Sequence, residues 1–186
     1  MTRRYVVFGL GIAAAIAMIP VDGTPAAARF FEQGRSVAQS IHQTEVELKL
    51  IAKQKQVQKD ARGKEQVIWN ELKQDTMVKK GTVLRFQVIG KNTSDRPAEK
   101  LVVTQPIPKG TIYSLNSAVK GDAELTYSID GGKTFSENPM ILITLPDGRT
   151  GMQPAPADTY SHLRWVFDRA IAPQSAVEMS YEVSVR

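Results

Sequence analysis

From Val177 to Arg186 the chain reads VEMSYEVSVR, an alternation without a fault. Val177, Met179, Tyr181, Val183 and Val185 fall on one side, and Glu178, Ser180, Glu182, Ser184 and Arg186 on the other. Successive side chains of a strand point to opposite faces, so a slip of one residue would carry the whole apolar set into water. Such a segment demands a sheet with one buried face, one wet face and a fixed register. The same period of two returns upstream. Val46, Leu48, Leu50 and Ala52 oppose Glu45, Glu47, Lys49 and Lys53, and Leu84, Phe86 and Val88 oppose Arg85, Gln87 and Lys91, with Gly90 continuing the inward row. Leu125, Tyr127 and Ile129 form a third inward set, and Leu163, Trp165 and Phe167 oppose His162, Arg164, Val166 and Asp168.

Between these segments lie turn residues. KDARGK at 59–64 leads into EQVIWNEL, where Val67 and Trp69 share one face, so a hairpin is expected there. Asn92 to Pro97 (NTSDRP) is turn chemistry, because Asn, Ser and Asp bond their own backbone and Pro fixes φ. KLVVT at 100–104 reads as a strand, which Pro106-Ile107-Pro108 ends by removing two N–H donors. TIYSL after Gly110 reads as a short strand. MILITL at 140–145 is nearly all apolar, which fits a strand covered on both faces or an edge that meets another surface. PDGRTG at 146–151 is a turn, and MQPAPADT at 152–159 should be extended and irregular. About 8–9 strands and almost no helix give an all-β fold, an antiparallel β-sandwich, with a small barrel as the alternative.

The first 28 residues differ from the rest. Arg3 and Arg4 precede an apolar run from Tyr5 to Ile19, shorter than the roughly 20 residues that span a bilayer, and Pro25 to Ala28 (PAAA) offers a small-x-small cleavage site. The expectation is a removed signal peptide over 1–28, a flexible leader over 29–44 and one domain over 45–186, with no transmembrane span left after cleavage. The Arg pair also resembles a twin-arginine start, though the general secretory route is favoured. The absence of cysteine excludes disulfides, thiolate nucleophiles and cysteine-bound metal. The formal charge of +5 is mild. Lysines gather from Lys49 to Lys80 (Lys49, Lys53, Lys55, Lys59, Lys64, Lys73, Lys79, Lys80), but acids are interspersed and Trp69 is the one ring among them. A nucleic-acid groove wants several stacking rings, so a solvated strand surface is the better reading and no nucleic-acid partner is expected.

A series of short motifs adds to this. They are Lys80-Gly81, Asn92 to Ser94, Val102 to Thr104, Pro106 to Tyr113 (PIPKGTIY), Ser117-Ala118, Tyr127 to Gly132 (YSIDGG), Arg164-Trp165, Ala172-Pro173 and Tyr181 to Val185. In this order and spacing, over 78–186, they resemble the bacterial conserved-repeat module called domain of unknown function eleven. The resemblance implies an immunoglobulin-like sandwich in exported and surface proteins, commonly in tandem arrays. This chain has one copy, which counts against a long spacer, and Gln174 where the module usually has Gly. The whole chain also resembles small exported proteins of cyanobacteria.

Candidate chemistry is sparse. Ser128 to Phe135 (SIDGGKTF) matches an Asp-box hairpin, in which Asp130, Ser128 and Thr134 satisfy turn amides, Gly131 or Gly132 supplies a positive φ and Phe135 plugs the core. Asp122, Glu124, Asp130 and Asp147 are oxygen donors without a calcium-loop spacing, and the two histidines, His42 and His162, are too few for a histidine metal site. His162 and Asp168 with any serine would make a triad on paper, but no nucleophile elbow accompanies them. Glu178 and Glu182 sit two steps apart on an outward face rather than as a glycosidase pair. Asn92-Thr93-Ser94 is formally a glycosylation sequon. Trp69, Trp165, Phe86, Phe167, Tyr127 and Tyr181 read as inward. No catalytic, metal or cofactor-binding residue is assigned and no cofactor is expected. The expected function is an exported, non-enzymatic module with a structural or interaction role at the envelope or surface, its partner a protein or polysaccharide there. MILITL, with Ile141 and Ile143, is the first candidate contact. The alternatives are a carbohydrate- or wall-polymer-binding module and, last, a hydrolase.

Overall fold

The computed structural model describes residues 46–73 and 76–186, together with two short backbone strands, Tyr5–Val7 and Ala15–Ile16. The remainder of the expected signal segment and the expected leader over 29–44, with His42, lie outside the described residues. In chain order the strands are β1 (Tyr5–Val7), β2 (Ala15–Ile16), β3 (Val46–Lys59), β4 (Glu65–Glu71), β5 (Met77–Lys79), β6 (Val83–Asn92) and β7 (Val102–Pro106). They continue with β8 (Thr111–Tyr113), β9 (Glu124–Ser128), β10 (Met140–Thr144), β11 (Thr150–Pro154), β12 (His162–Val166) and β13 (Ala176–Val185). One 3₁₀ turn, Ala157–Thr159, interrupts them. None of the described residues forms a helix long and apolar enough to cross a membrane.

The strands make an all-β antiparallel sandwich. One sheet has the order β4-β3-β6-β13-β8, the other β2-β7-β12-β9, and β1–β5 and β10–β11 are separate pairs. The faultless alternation at the C-terminus sets the register of the larger sheet. Tyr181 lies opposite Phe86 and Val183 opposite Leu84, while β3 pairs along the other side of β6 with Ala52 opposite Phe86. Leu84, Phe86, Val88, Met179, Tyr181, Val183 and Val185 are all buried as the alternation requires. Gly90 belongs to this row because a Cβ there would meet Leu48 and Val177 at 3.3 Å.

The smaller sheet supplies Val103, Leu163 and Trp165, each with 0% exposure, and the loop after β12 supplies Phe167. Each fully buried large side chain is worth roughly 1.5–3 kcal/mol. Tyr181 stacks on Phe86 at 5.4 Å between centroids and reaches Trp165 at 6.2 Å, so aromatic packing crosses the gap between the sheets. Its hydroxyl donates to the Pro106 carbonyl at 3.2 Å, and the Trp165 indole donates to Val119 O at 3.3 Å. Tyr113, Tyr127 and Tyr160 form a second ring cluster, with centroids 5.4–5.6 Å apart.

Several expectations need correction. Trp69 and Val67 share a face, but it is the outer one: Trp69 sits opposite Lys55, half-buried under the Arg85 guanidinium at 3.9 Å from the ring centre. Phe135 does not plug the core. It is half-buried, with Arg164 stacked 3.5 Å from its ring centre on the outer face of the smaller sheet. MILITL is not covered on both faces, since Met140 and Leu142 are exposed. The segment after it is not irregular throughout, because Thr150–Pro154 pairs with it as β11.

A buried clasp closes one end of the sandwich. Asn92, the last residue of β6, has 0% exposure. Its amide donates to Arg96 O at 2.7 Å, Ile171 O at 3.0 Å and Ala172 O at 3.3 Å, and its carbonyl accepts from Ser94 N and Ser94 Oγ. The sequon asparagine is thus internal and fully engaged. Beside it, Gln174 adopts a φ of +57°, the left-handed conformation that favours Gly. Its side-chain amide donates to Thr93 O at 2.8 Å and Ser94 O at 3.2 Å, which offsets the strain.

Candidate interaction surface

The β10–β11 hairpin stands outside both sheets of the sandwich. The turn Leu145 to Arg149 closes it: Leu145 N donates to Arg149 O at 2.7 Å, and Asp147 accepts from the Arg149 amide at 3.0 Å and from its guanidinium at 2.8 Å. This pairing holds the Asp147 carboxyl below the usual carboxylate range. Register places Leu142 opposite Met152 and Met140 opposite Pro154, on one face. Leu142 is 66% exposed, Met152 60% and Met140 41%, so three large apolar side chains form a continuous wet stripe. Ile141 and Ile143 occupy the other face and are half-buried. An unbranched, polarisable Met beside a Leu adapts to many partner shapes.

Next along the chain surface is the Asp130 loop. Ser128 Oγ donates to Asp130 Oδ1 at 2.7 Å and accepts from the Gly132 amide at 2.9 Å. Asp130 also accepts from the amides of Lys133 and Thr134 at 3.0 Å and from Thr134 Oγ1 at 2.6 Å. The Thr134 hydroxyl is the main reason its carboxyl lies far below the ordinary range, followed by the Thr134 amide and Ser128. Gly131 and Gly132 carry φ of +79° and +87°, and a Cβ on Gly132 would press on the His162 ring at 3.2 Å. The side-chain oxygens of Ser128, Asp130 and Thr134 are all engaged within their own turn, so the arrangement is that of a structural loop.

The other sites drawn from sequence do not assemble. Among the described residues no three His, Cys, Asp or Glu side chains come together, so Asp122, Glu124, Asp130 and Asp147 form no cation site. His162 opens β12 and Asp168 lies two residues past its other end, with the strand's length of about 13 Å, at roughly 3.3 Å per residue, between them. Ser161 Oγ does approach His162 Nδ1 at 3.1 Å, but it donates to Ser128 O at 3.1 Å and accepts from the Gly131 amide at 3.1 Å, leaving no free nucleophile. Burial, then the nearby Arg164, lowers the His162 pKa, with Asp130 opposing. Glu182 is committed to Arg85 at 2.6 Å and Glu178 is exposed about 13 Å further along β13, beyond glycosidase spacing.

On the lysine-rich face, register sets Lys53 opposite Glu71, Lys59 opposite Glu65 and Lys91 opposite Glu47. Opposite charges across strands compensate at these three positions, while Lys53 also faces Arg85, Lys49 faces Ile89 and Lys55 faces Trp69. Shallow grooves lie among the described residues. One of about 670 Å³ runs past Pro106, Pro108, Lys109, Tyr160, His162 and Arg186, and one of about 390 Å³ past Asp122, Phe167, Arg169, Ile171, Val177 and Glu178. The first also takes in Ser161 beside His162, but that hydroxyl donates to Ser128 O and accepts from the Gly131 amide. Compared with protein-family models, with curated proteins and with solved structures, the chain finds no significant match.

Proposed function

We propose that this chain is an exported, non-enzymatic β-sandwich module that acts by protein contact at the cell envelope or surface. The observation that carries the reading is the Met140–Leu142–Met152 stripe on a hairpin that belongs to neither sheet. The signal-like start at Arg3 to Ala28 and the resemblance of 78–186 to an exported immunoglobulin-like module support the compartment. Wall-polymer binding through Trp69 and the lysines has less support, because Arg85 covers the ring and Lys53 and Lys59 each face an acid across the β3–β4 pair. Hydrolysis has less still, since the hydroxyl nearest a histidine is already saturated.

A photo-crosslinking residue placed at Leu142 is expected to capture a discrete envelope protein, whereas the same residue at exposed Lys133 captures none. Leu142→Lys with Met152→Glu should abolish capture from position 140 with the melting temperature unchanged. Equal capture from 142 and 133, or capture that survives the charged pair, would refute the reading.

A further inference from the structure

We propose that the free edge of β7 is a strand-acceptor slot, filled after export by an extended, uncharged segment of a partner protein. The proposal deepens the contact reading above and rests on removal of 1–28. Backbone parity defines the slot. Leu101 O accepts from Phe167 N at 2.9 Å and Ile107 N donates to Ser161 O at 2.8 Å, so the odd-numbered residues turn their amides toward β12. The even-numbered residues Val102, Thr104 and Pro106 therefore turn theirs the other way. Pro106 lacks an N–H and ends the slot, leaving room for about four or five residues of added strand.

Other edges are less suited: on the side of β3 away from β6, residues 46–51 carry Glu47 and Lys49. The outer edge of β4 carries Glu65 and Glu71, β8 is three residues long, and β9 is already bridged, Tyr127 and Ser136 exchanging both amide bonds at 2.8 and 2.9 Å. β7 reads VVTQP, with no charge and a β-branched start. The chain itself shows that this edge takes a strand: β2 pairs antiparallel with it, Ala15 opposite Thr104 and Ile16 opposite Val103. Removing 1–28 takes β2 away and opens the outward amide of Thr104, next to that of Val102, to addition by another chain.

Mass spectrometry of the exported protein reads its N-terminus, and that alone decides whether 1–28 is removed. Amide exchange then tests the slot. The Thr104 amide should exchange at least tenfold faster in the exported protein than in the full-length chain. A solubilised peptide of residues 12–19 flanked by lysines, used as probe, should slow it again at least tenfold. Thr104→Pro deletes the outward donor and keeps the backbone bonds to β12, losing only the bond that Arg164 Nε donates to Thr104 Oγ1, and should abolish the protection that the probe confers on Val102. Val102→Pro, read at Thr104, replaces it if Thr104→Pro unfolds the domain. Protection that ignores the probe, or survives the proline variants, overturns the slot. Thr104 protected without probe in a dimer, seen by sedimentation, overturns the choice of partner in favour of a second copy. If 1–28 is retained, Ala15→Pro in the full chain must expose Thr104 at least tenfold, and unchanged exchange overturns the slot.

Discussion

Replacing Asn92 by alanine tests whether a single buried amide holds the end of the sandwich together. Asn92 Nδ2 serves carbonyls of the 94–96 turn and of the 171–172 link, while Oδ1 orders Ser94. The cost is less than five orphaned groups would give, because each carbonyl keeps a second donor. Ile171 O accepts from Ala98 N, Ala172 O from Ser175 Oγ, and Arg96 O from Ser94 Oγ. The loss is then about 0.5–1.5 kcal/mol for each of the shorter bonds, reduced where Ser94 can turn to water, or about 3 kcal/mol in all. For a domain of about 140 residues, unfolding entropy near 2.1 cal/mol/K per residue converts this to a fall of about 10 °C in melting temperature. Calorimetry on wild type, Asn92→Ala and Ser94→Ala separates the clasp from its turn, with Ser94→Ala expected to lose about 1 kcal/mol. A fall of less than about 3 °C for Asn92→Ala, on the same conversion, would refute the reasoning. Asn92→Asp should be at least as damaging, since it sets a carboxylate against three carbonyl oxygens.

Two further perturbations follow from the same neighbourhood logic. Gln174→Ala keeps the left-handed strain and loses both side-chain bonds, so it should destabilise by about 1 kcal/mol, whereas Gln174→Gly should be close to neutral because relief of strain of about 1–2 kcal/mol offsets the lost bonds; equal melting temperatures for the two variants would contradict this account. Asp130 has a folded pKa below its ordinary 3.8, so its contribution to stability is complete above that value and is lost only as pH falls through the lower folded value. Its carboxyl carbon should still report the ionised form at pH 3 by NMR, and a titration midpoint at or above 3.8 would sink the loop geometry.

How much of the fold was legible depended on whether a segment had one wet face. β6, β12 and β13 do, and their inward rows follow residue by residue from alternation. The β3–β4 hairpin was legible as a hairpin but not in its facing. Pairing of β3 with β6 ends at Gln54 and Leu84, so the strand runs on past the sheet from Lys55 to Lys59 with β4 as its remaining neighbour. Both faces of that overhang are wet, and Val57 and Val67, directly opposite, are half exposed. Period two names two faces there without saying which is inside. Phe135 failed for a related reason: the Asp130 loop was readable from its hydroxyl and carboxylate spacing, yet nothing local says over which sheet face the loop folds. MILITL failed because an apolar run carries no period, and its partner β11, TGMQP, has neither a strand composition nor an alternation to announce it.

The same contrast separates what can be learned from each kind of mutation. At Trp165 or Asn92, burial is complete, so any loss of contact with a partner would be confounded with loss of the fold. Met140, Leu142 and Met152 are largely in water already, so truncating or charging them removes little burial energy, and surface changes of this kind stay within about 0.5 kcal/mol. Thr104 is comparable for the backbone, because its amide points away from β12 and the sheet does not depend on it. A partner's loss of binding on changing these positions would therefore report contact itself. If charging the hairpin weakens binding while closing the β7 edge does not, the partner grips side chains; the reverse result would mean that it adds a strand.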